Sequence, residues 1–184
     1  MKLLLWLSLL LLSQNGSTEE LSDLVEEFFT WRLDNSPEFG TKFGINNHDD
    51  KLEQYTDEAF DKQKEEAEGF LTRAEGMSNE ALDLQDKISL AILKDLLTNF
   101  ISGYEFREYS IYNSVSPLEH PMREWKSLIS WSKFNTETDY ENYLARLDLL
   151  PTQIEQKIAL MRKAIAKGYT QPEEALVGVV ENIQ

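Results

Sequence analysis

Along this chain apolar residues recur at helical spacing far more often than they alternate as strands require. Leu21, Leu24, Val25, Phe28 and Phe29 fall at i, i+3, i+4, i+7 and i+8, with Glu19, Glu20, Glu26 and Glu27 on the remaining face. That is an amphipathic helix, expected to end near Asn35 because Pro37 disfavours helical geometry at Ser36. Residues 36 to about 55 carry Gly40, Gly44 and the run Asn46-Asn47-His48-Asp49-Asp50, which is the chemistry of an irregular loop. A second helix is expected from Thr56 as N-cap to Gly76, with Asp57 and Glu58 where the helix dipole favours negative charge and a thin stripe of Phe60, Ala67, Phe70, Leu71 and Ala74. The third, from about Asn79 to Ile101, is apolar on two adjacent stripes, one of Ile88, Ala91 and Ile92 and one of Leu93, Leu96, Leu97, Phe100 and Ile101. Such a helix wants partners on both sides.

Between Gly103 and Pro121 the helical period is lost, and Tyr104, Phe106, Tyr109, Ile111 and Tyr112 read as an extended, partly buried aromatic loop. A short helix fits Met122 to Trp131. Beyond it Thr138 and Glu141 have capping-box spacing ahead of Tyr140, Tyr143, Leu144 and Leu147. Pro151 is expected to break or kink this run, and Ile154, Ile158, Met161 and Ile165 then form a new stripe that stops at Gly168 as C′ residue. Thr170 and Glu173 suggest a further capping box, with Pro172 in the first turn of a last helix carrying Ala175, Leu176, Val179 and Val180. That helix is capped at its start and not at its end, as in an element cut short. The class is therefore all-α: an antiparallel helical array forming one incomplete domain, with an irregular aromatic loop near the middle.

The N-terminus adds a compartment. Met1-Lys2 precedes an apolar run from Leu3 to Leu12, with small residues at Gly16, Ser17 and Thr18, which reads as a signal peptide over residues 1–18 followed by a secreted, extracellular helical segment over 19–184. The run is about half the length a membrane-spanning helix needs. The sequon Asn15-Gly16-Ser17 falls in the cleavage region. Removing residues 1–18 takes away Lys2 and no acid, leaving 17 basic against 33 acidic side chains. That charge opposes binding to nucleic acid and to anionic membranes. Cysteine is absent, so neither disulfides nor thiolate chemistry is available, and a hydrophobic core must carry stability.

Catalytic chemistry is not legible. The chain has two histidines, His48 and His120, far apart and in no His-Glu-x-x-His pattern. His48-Asp49-Asp50 holds cation donors, but this company forms turns more readily than metal sites, and His120 before Pro121 reads as a loop residue. No nucleophile elbow, phosphate loop or calcium loop occurs. Acid pairs such as Glu65-Glu66 and Glu173-Glu174 are numerous enough to be a solvated face, although two carboxylates across a cleft would support glycoside hydrolysis. No catalytic, cofactor-binding or metal residue is assigned. The Tyr104 to Tyr112 stretch is the best candidate for a binding surface, with core packing as its alternative.

Three segments carry a resemblance. Trp31-Arg32-Leu33-Asp34-Asn35-Ser36-Pro37-Glu38-Phe39-Gly40 with Phe43-Gly44, then Asp139 to Leu147, then Gly168-Tyr169-Thr170-Gln171-Pro172, resemble the family known as domain of unknown function 885. The resemblance spans roughly residues 24 to 184. It implies a helical protein about three times longer, similar in architecture to zinc carboxypeptidases and metallopeptidase-like, whose zinc motif, a His-Glu pair followed by Pro-Gly-His-His, has no match here. It thus implies zinc only for a missing half and no cofactor for this segment. It places Trp31, Arg32, Pro37, Asp139, Tyr143, Arg146 and Leu147 in a helical half that walls the substrate cleft of a full-length relative. The partners to expect are a missing C-terminal region or another protein, with peptide as substrate only in a longer form. The alternative is a self-sufficient secreted helical binding module without enzyme activity.

Overall fold

A computed structural model describes residues 2–80, 82–107 and 121–178 of the chain. Among these residues the regular structure is helical throughout and no strand occurs, as the apolar periodicity requires. The chain divides into two compact units, Met1–Arg32 with Asp61–Glu105, and Leu33–Phe60 with Phe106–Gln184. Among the described residues no helix is long and apolar enough to cross a membrane.

Helix α1 runs from Lys2 to Asn35 and stops where Pro37 was expected to stop it. Within the first unit it lies antiparallel to α3 (Asp57–Gly76), as successive side-chain pairs show: Arg73 forks onto Glu27, and Trp31 Nε1 donates to Glu66 Oε2 at 2.7 Å. Helix α4 (Leu84–Tyr104) returns antiparallel to α3, with the Tyr104 hydroxyl donating to Asp61 near the other end. Leu21 and Leu24 of α1, Ala67 and Ala74 of α3, and Leu90, Leu93 and Leu97 of α4 form the buried core. The two alanines leave room for close approach of the flanking helices, a geometric consequence of their small side chains. Trp31 caps this core, with Phe28, Phe70 and Phe100 each within 5.8 Å of its ring centroid.

Two expectations for this unit are corrected. Helix α4 begins at Leu84 rather than Asn79, because the Asp83 carboxylate accepts the Asp86 N–H at 2.8 Å and fixes the N-cap there. The two apolar stripes of α4 are not both covered. Leu90, Leu93 and Leu97 are buried, whereas Leu84, Ile88, Ile92, Leu96 and Phe100, spaced by four, are all more than 40 % exposed.

In the second unit the expected loop after Asn35 contains a short helix, α2 (Pro37–Lys42). Pro37 at N1 and Gly44 at C′ bracket it. Gly44 has φ +78°, and the Gly44 and Ile45 N–H groups donate to the Thr41 and Gly40 carbonyls, which completes a Schellman turn. Six residues are too few to display a helical period. Helix α3 does begin after Thr56, whose hydroxyl accepts the Ala59 N–H at 3.1 Å. Helix α5 spans Pro121–Trp131, close to the range expected.

Helix α6 (Glu137–Ala166) departs most from the sequence reading. Its N-cap is Thr136, not Thr138: Thr136 Oγ1 accepts the Asp139 N–H, and Asp139 Oδ2 accepts the N–H groups of Asn135 and Thr136 at 2.8 and 2.9 Å. Nor does Pro151 end it. The helix continues through Pro151, which is exposed, because buried side chains on both sides, Arg146 and Gln153, tie it to the rest of the unit. It closes as expected at Gly168, where the Gly168 and Tyr169 N–H groups donate to the Ile165 and Ala164 carbonyls. Helix α7 (Glu173–Leu176) has Pro172 as N-cap and no side-chain cap, so the anticipated Thr170–Glu173 box is not formed. Tyr109, Ile111, Tyr112, His120, Val179 and Val180 lie outside the described residues.

The backbone N–H groups of Asn135 and Thr136 hold the Asp139 carboxyl below the usual aspartate range. A carboxyl depressed in the folded state contributes stability that is complete above its unfolded pKa of about 4 and is lost as pH falls through the folded value. Thermal melts of the wild type and Asp139→Asn should therefore differ near neutral pH, begin to converge as pH falls below about 4, and meet only below the lowered folded value. A difference that persists unchanged into acid would show that the carboxylate charge is not what the cap uses.

Candidate functional site: a buried polar row on α6

One side of α6 turns inward with Arg146, Gln153, Lys157, Leu160 and Ala164, all buried. Three of these are polar, and each has at least one partner about a hundred positions away along the chain. Arg146 has no exposed surface. Its Nε donates to the Lys51 carbonyl at 2.8 Å, one terminal nitrogen to Thr41 Oγ1 at 2.9 Å, and the other to the His48 carbonyl at 2.7 Å. Asp49 Oδ1 lies 3.6 Å from the same guanidinium and accepts the Thr41 hydroxyl at 2.6 Å. The planar fork suits four oxygens arranged around it better than an ammonium would. Burial pulls the Arg146 pKa below its usual value, and the charges of Asp49, Glu38 and Asp50 act in the opposite sense.

Two turns further along α6, Gln153 serves as both donor and acceptor. Its Nε2 donates to Glu38 Oε1 at 2.9 Å and to the Glu53 carbonyl at 3.0 Å, while its Oε1 accepts Trp125 Nε1 at 2.8 Å. Glu38, buried in the first turn of α2, also accepts the Glu53 N–H with both oxygens. Lys157 places its ammonium 3.8 Å from the centre of the Tyr55 ring. Gln156, beside the row, accepts the Tyr55 N–H at 3.0 Å and donates to Gln54. The row thus clasps the segment after α2 at His48, Lys51, Glu53 and Tyr55, satisfying backbone groups that would otherwise be buried without partners.

Placed against this geometry, His48 is a turn residue. Its Nε2 lies 2.9 Å from Asp34 Oδ1, its Nδ1 3.2 Å from Lys51 Nζ, and its carbonyl accepts from Arg146. Asp49 is engaged with Thr41 and Asn46. Among the described residues no group of three or more His, Asp and Glu side chains is placed to share a metal ion. Glu66 is taken up by Trp31 and by Lys62 at 3.6 Å, and Glu173 and Glu174 are exposed in the first turn of α7. Of the aromatic stretch, Tyr104 ends α4 as a buried residue beneath Lys64, and Phe106 is 59 % exposed.

Of the residues singled out by resemblance, Arg146 is the centre of the clasp and Pro37 is the buried start of α2. Asp139 is the cap of α6, and Tyr143 packs edge-on against Phe134. Trp31 holds the aromatic cluster of the first unit. Glu38, Thr41, Gln153 and Lys157 were missed. Polar residues on a long helix look like a solvated face, and their partners lie too far along the chain for spacing to reveal them.

Every ionisable group in this seam is spent on holding backbone or another side chain, which defines a helical scaffold organised around a buried guanidinium clasp. The chain belongs to the family described as bacterial protein of unknown function (DUF885), whose model matches residues 37–184. That match begins at Pro37 and covers α2 and everything after it, the clasp included. No curated protein matches the chain.

Proposed function

We propose that the chain is the non-catalytic N-terminal region of a secreted zinc-metallopeptidase-like protein, contributing the helical wall of a peptide cleft. The observation that carries this reading is the row Leu84, Ile88, Ile92, Leu96 and Phe100 on α4, left exposed on a helix whose opposite side is core. An apolar row of that length is a surface that further polypeptide covers. The motifs resembling the family support the peptidase-like character, and the apolar run behind Lys2 supports secretion. On this reading the charged residues of α2 and α6 shape the wall and do no chemistry, and zinc belongs to the remainder of the longer protein.

The experiment is to read RNA across the Gln184 codon and size the secreted product with an antibody to the mature N-terminus. A longer product carrying a His-rich zinc motif is the expected result. Peptide hydrolysis by the 184-residue chain itself, abolished by a single Glu or Asp substitution, would overturn the non-catalytic assignment. A second reading, a self-sufficient secreted binding module without enzyme activity, is favoured by the apolar side chains that α6 turns outward.

A further inference from the structure

Helix α6 carries two rows side by side, and the more apolar one faces out. Leu144, Leu147, Ile154, Ile158, Met161 and Ile165 follow one another at heptad spacing, with the exposed ring of Pro151 filling the remaining place. All but Leu144 stand directly after a residue of the inward row: Arg146 precedes Leu147, Gln153 precedes Ile154, Lys157 precedes Ile158, Leu160 precedes Met161 and Ala164 precedes Ile165. Leu144 is 60 % exposed, Ile158 40 % and Ile165 59 %, while Leu147, Ile154 and Met161 are half-buried. Spacing of three and four residues sustained over three heptads is the pattern a second helix reads, since it keeps one seam facing a neighbouring helix along its length.

The flank of the seam defines the neighbour. On the solvent side of each heptad stands Glu141, Asp148, Glu155 and then Arg162, all exposed. The other flank is the inward row and is closed to a partner. Three acids in succession call for basic side chains opposite. A second copy answers them less well, since an antiparallel pair would set Glu141 against Arg162 at its ends but Asp148 against Glu155 at its centre.

We infer that the outer seam of α6 is a docking surface for an amphipathic helix of a separate protein, apolar at heptad positions and basic along the edge that meets Glu141, Asp148 and Glu155. This goes beyond the role of a cleft wall, because it rests on α6 alone and holds whatever covers α4. Docking would bury the seam, and the acidic flank would set orientation and speed of encounter.

The test uses the whole chain and a synthetic helical peptide of about four heptads, with Leu and Ile at the seam positions and Lys along the edge. Its counterpart carries Glu in place of Lys. Calorimetric or fluorescence titration should show the Lys peptide binding at least about tenfold more tightly than the Glu peptide, with affinity falling as salt rises. Ile158→Asp, at an exposed position, should abolish binding while leaving the circular dichroism and melting curve unchanged. Ile92→Asp on α4 should not weaken it. Binding that survives Ile158→Asp, or that Ile92→Asp removes, would overturn the assignment. So would a concentration-dependent dimer of the chain that Ile158→Asp dissolves, since the occupant would then be a second copy.

Discussion

Arg146→Ala should be the most damaging single substitution in the second unit, lowering stability by about 3–5 kcal/mol, the usual loss when one member of a buried charged cluster is removed. The change takes away donors from the Lys51 and His48 carbonyls and from Thr41 Oγ1, and leaves the Asp49 carboxylate in a buried site without its cation. Acceptors stranded in this way cost more than the net worth of the bonds they made. Arg146→Lys should recover only part of the loss, because one ammonium cannot reach oxygens that a planar fork holds on separate sides. Urea denaturation reads the effect, and amide exchange at Lys51 and Glu53 should quicken in step, since the N–H of Lys51 closes the turn at His48 and that of Glu53 is held by Glu38. A loss below about 1 kcal/mol, the range of surface ion pairs, would mean that the clasp is ornamental.

Leu97→Ala is the corresponding expectation for the first unit. Leu97 is 1 % exposed within the core formed with α1 and α3, so truncation leaves a cavity and should cost about 2–5 kcal/mol. Its neighbour Leu96 is 43 % exposed, and Leu96→Ala should cost about 1 kcal/mol or less because half of its surface already meets water. The pair is informative because both residues belong to the same apolar stripe when the sequence is read alone. Similar losses for the two would show that α4 is covered on both sides, which would remove the exposed row on which the cleft-wall reading stands.

Local features were the ones most open to reading. Thr56 and Gly76 bound α3 as expected, Gly168 closes α6, and Pro37 limits α1, since each acts through its own backbone geometry within a few residues. Errors of two to five residues arose where capping groups compete. Thr136 and Thr138 both precede an acid by three residues, and Asp83 caps α4 a few residues beyond the start expected at about Asn79. Helix α2 escaped because its signals, Pro37 and Gly44, stood in a stretch rich in turn formers.

By itself, then, the sequence determined an all-α protein without thiols, its helices separated by Pro, Gly and capping residues, and the segments that carry the family resemblance. Which face of each helix turned inward was decided only by tertiary structure. On α6 the apolar period reads through Leu147 and, beyond Pro151, through Ile154 and Ile158, yet Arg146, Gln153 and Lys157 beside them are buried together with Leu160 and Ala164. Hydrophobic periodicity records what water rejects, residue by residue along one helix. It carries no record of carbonyls and carboxylates about a hundred positions away that make a buried guanidinium and amide affordable, and those contacts chose the face.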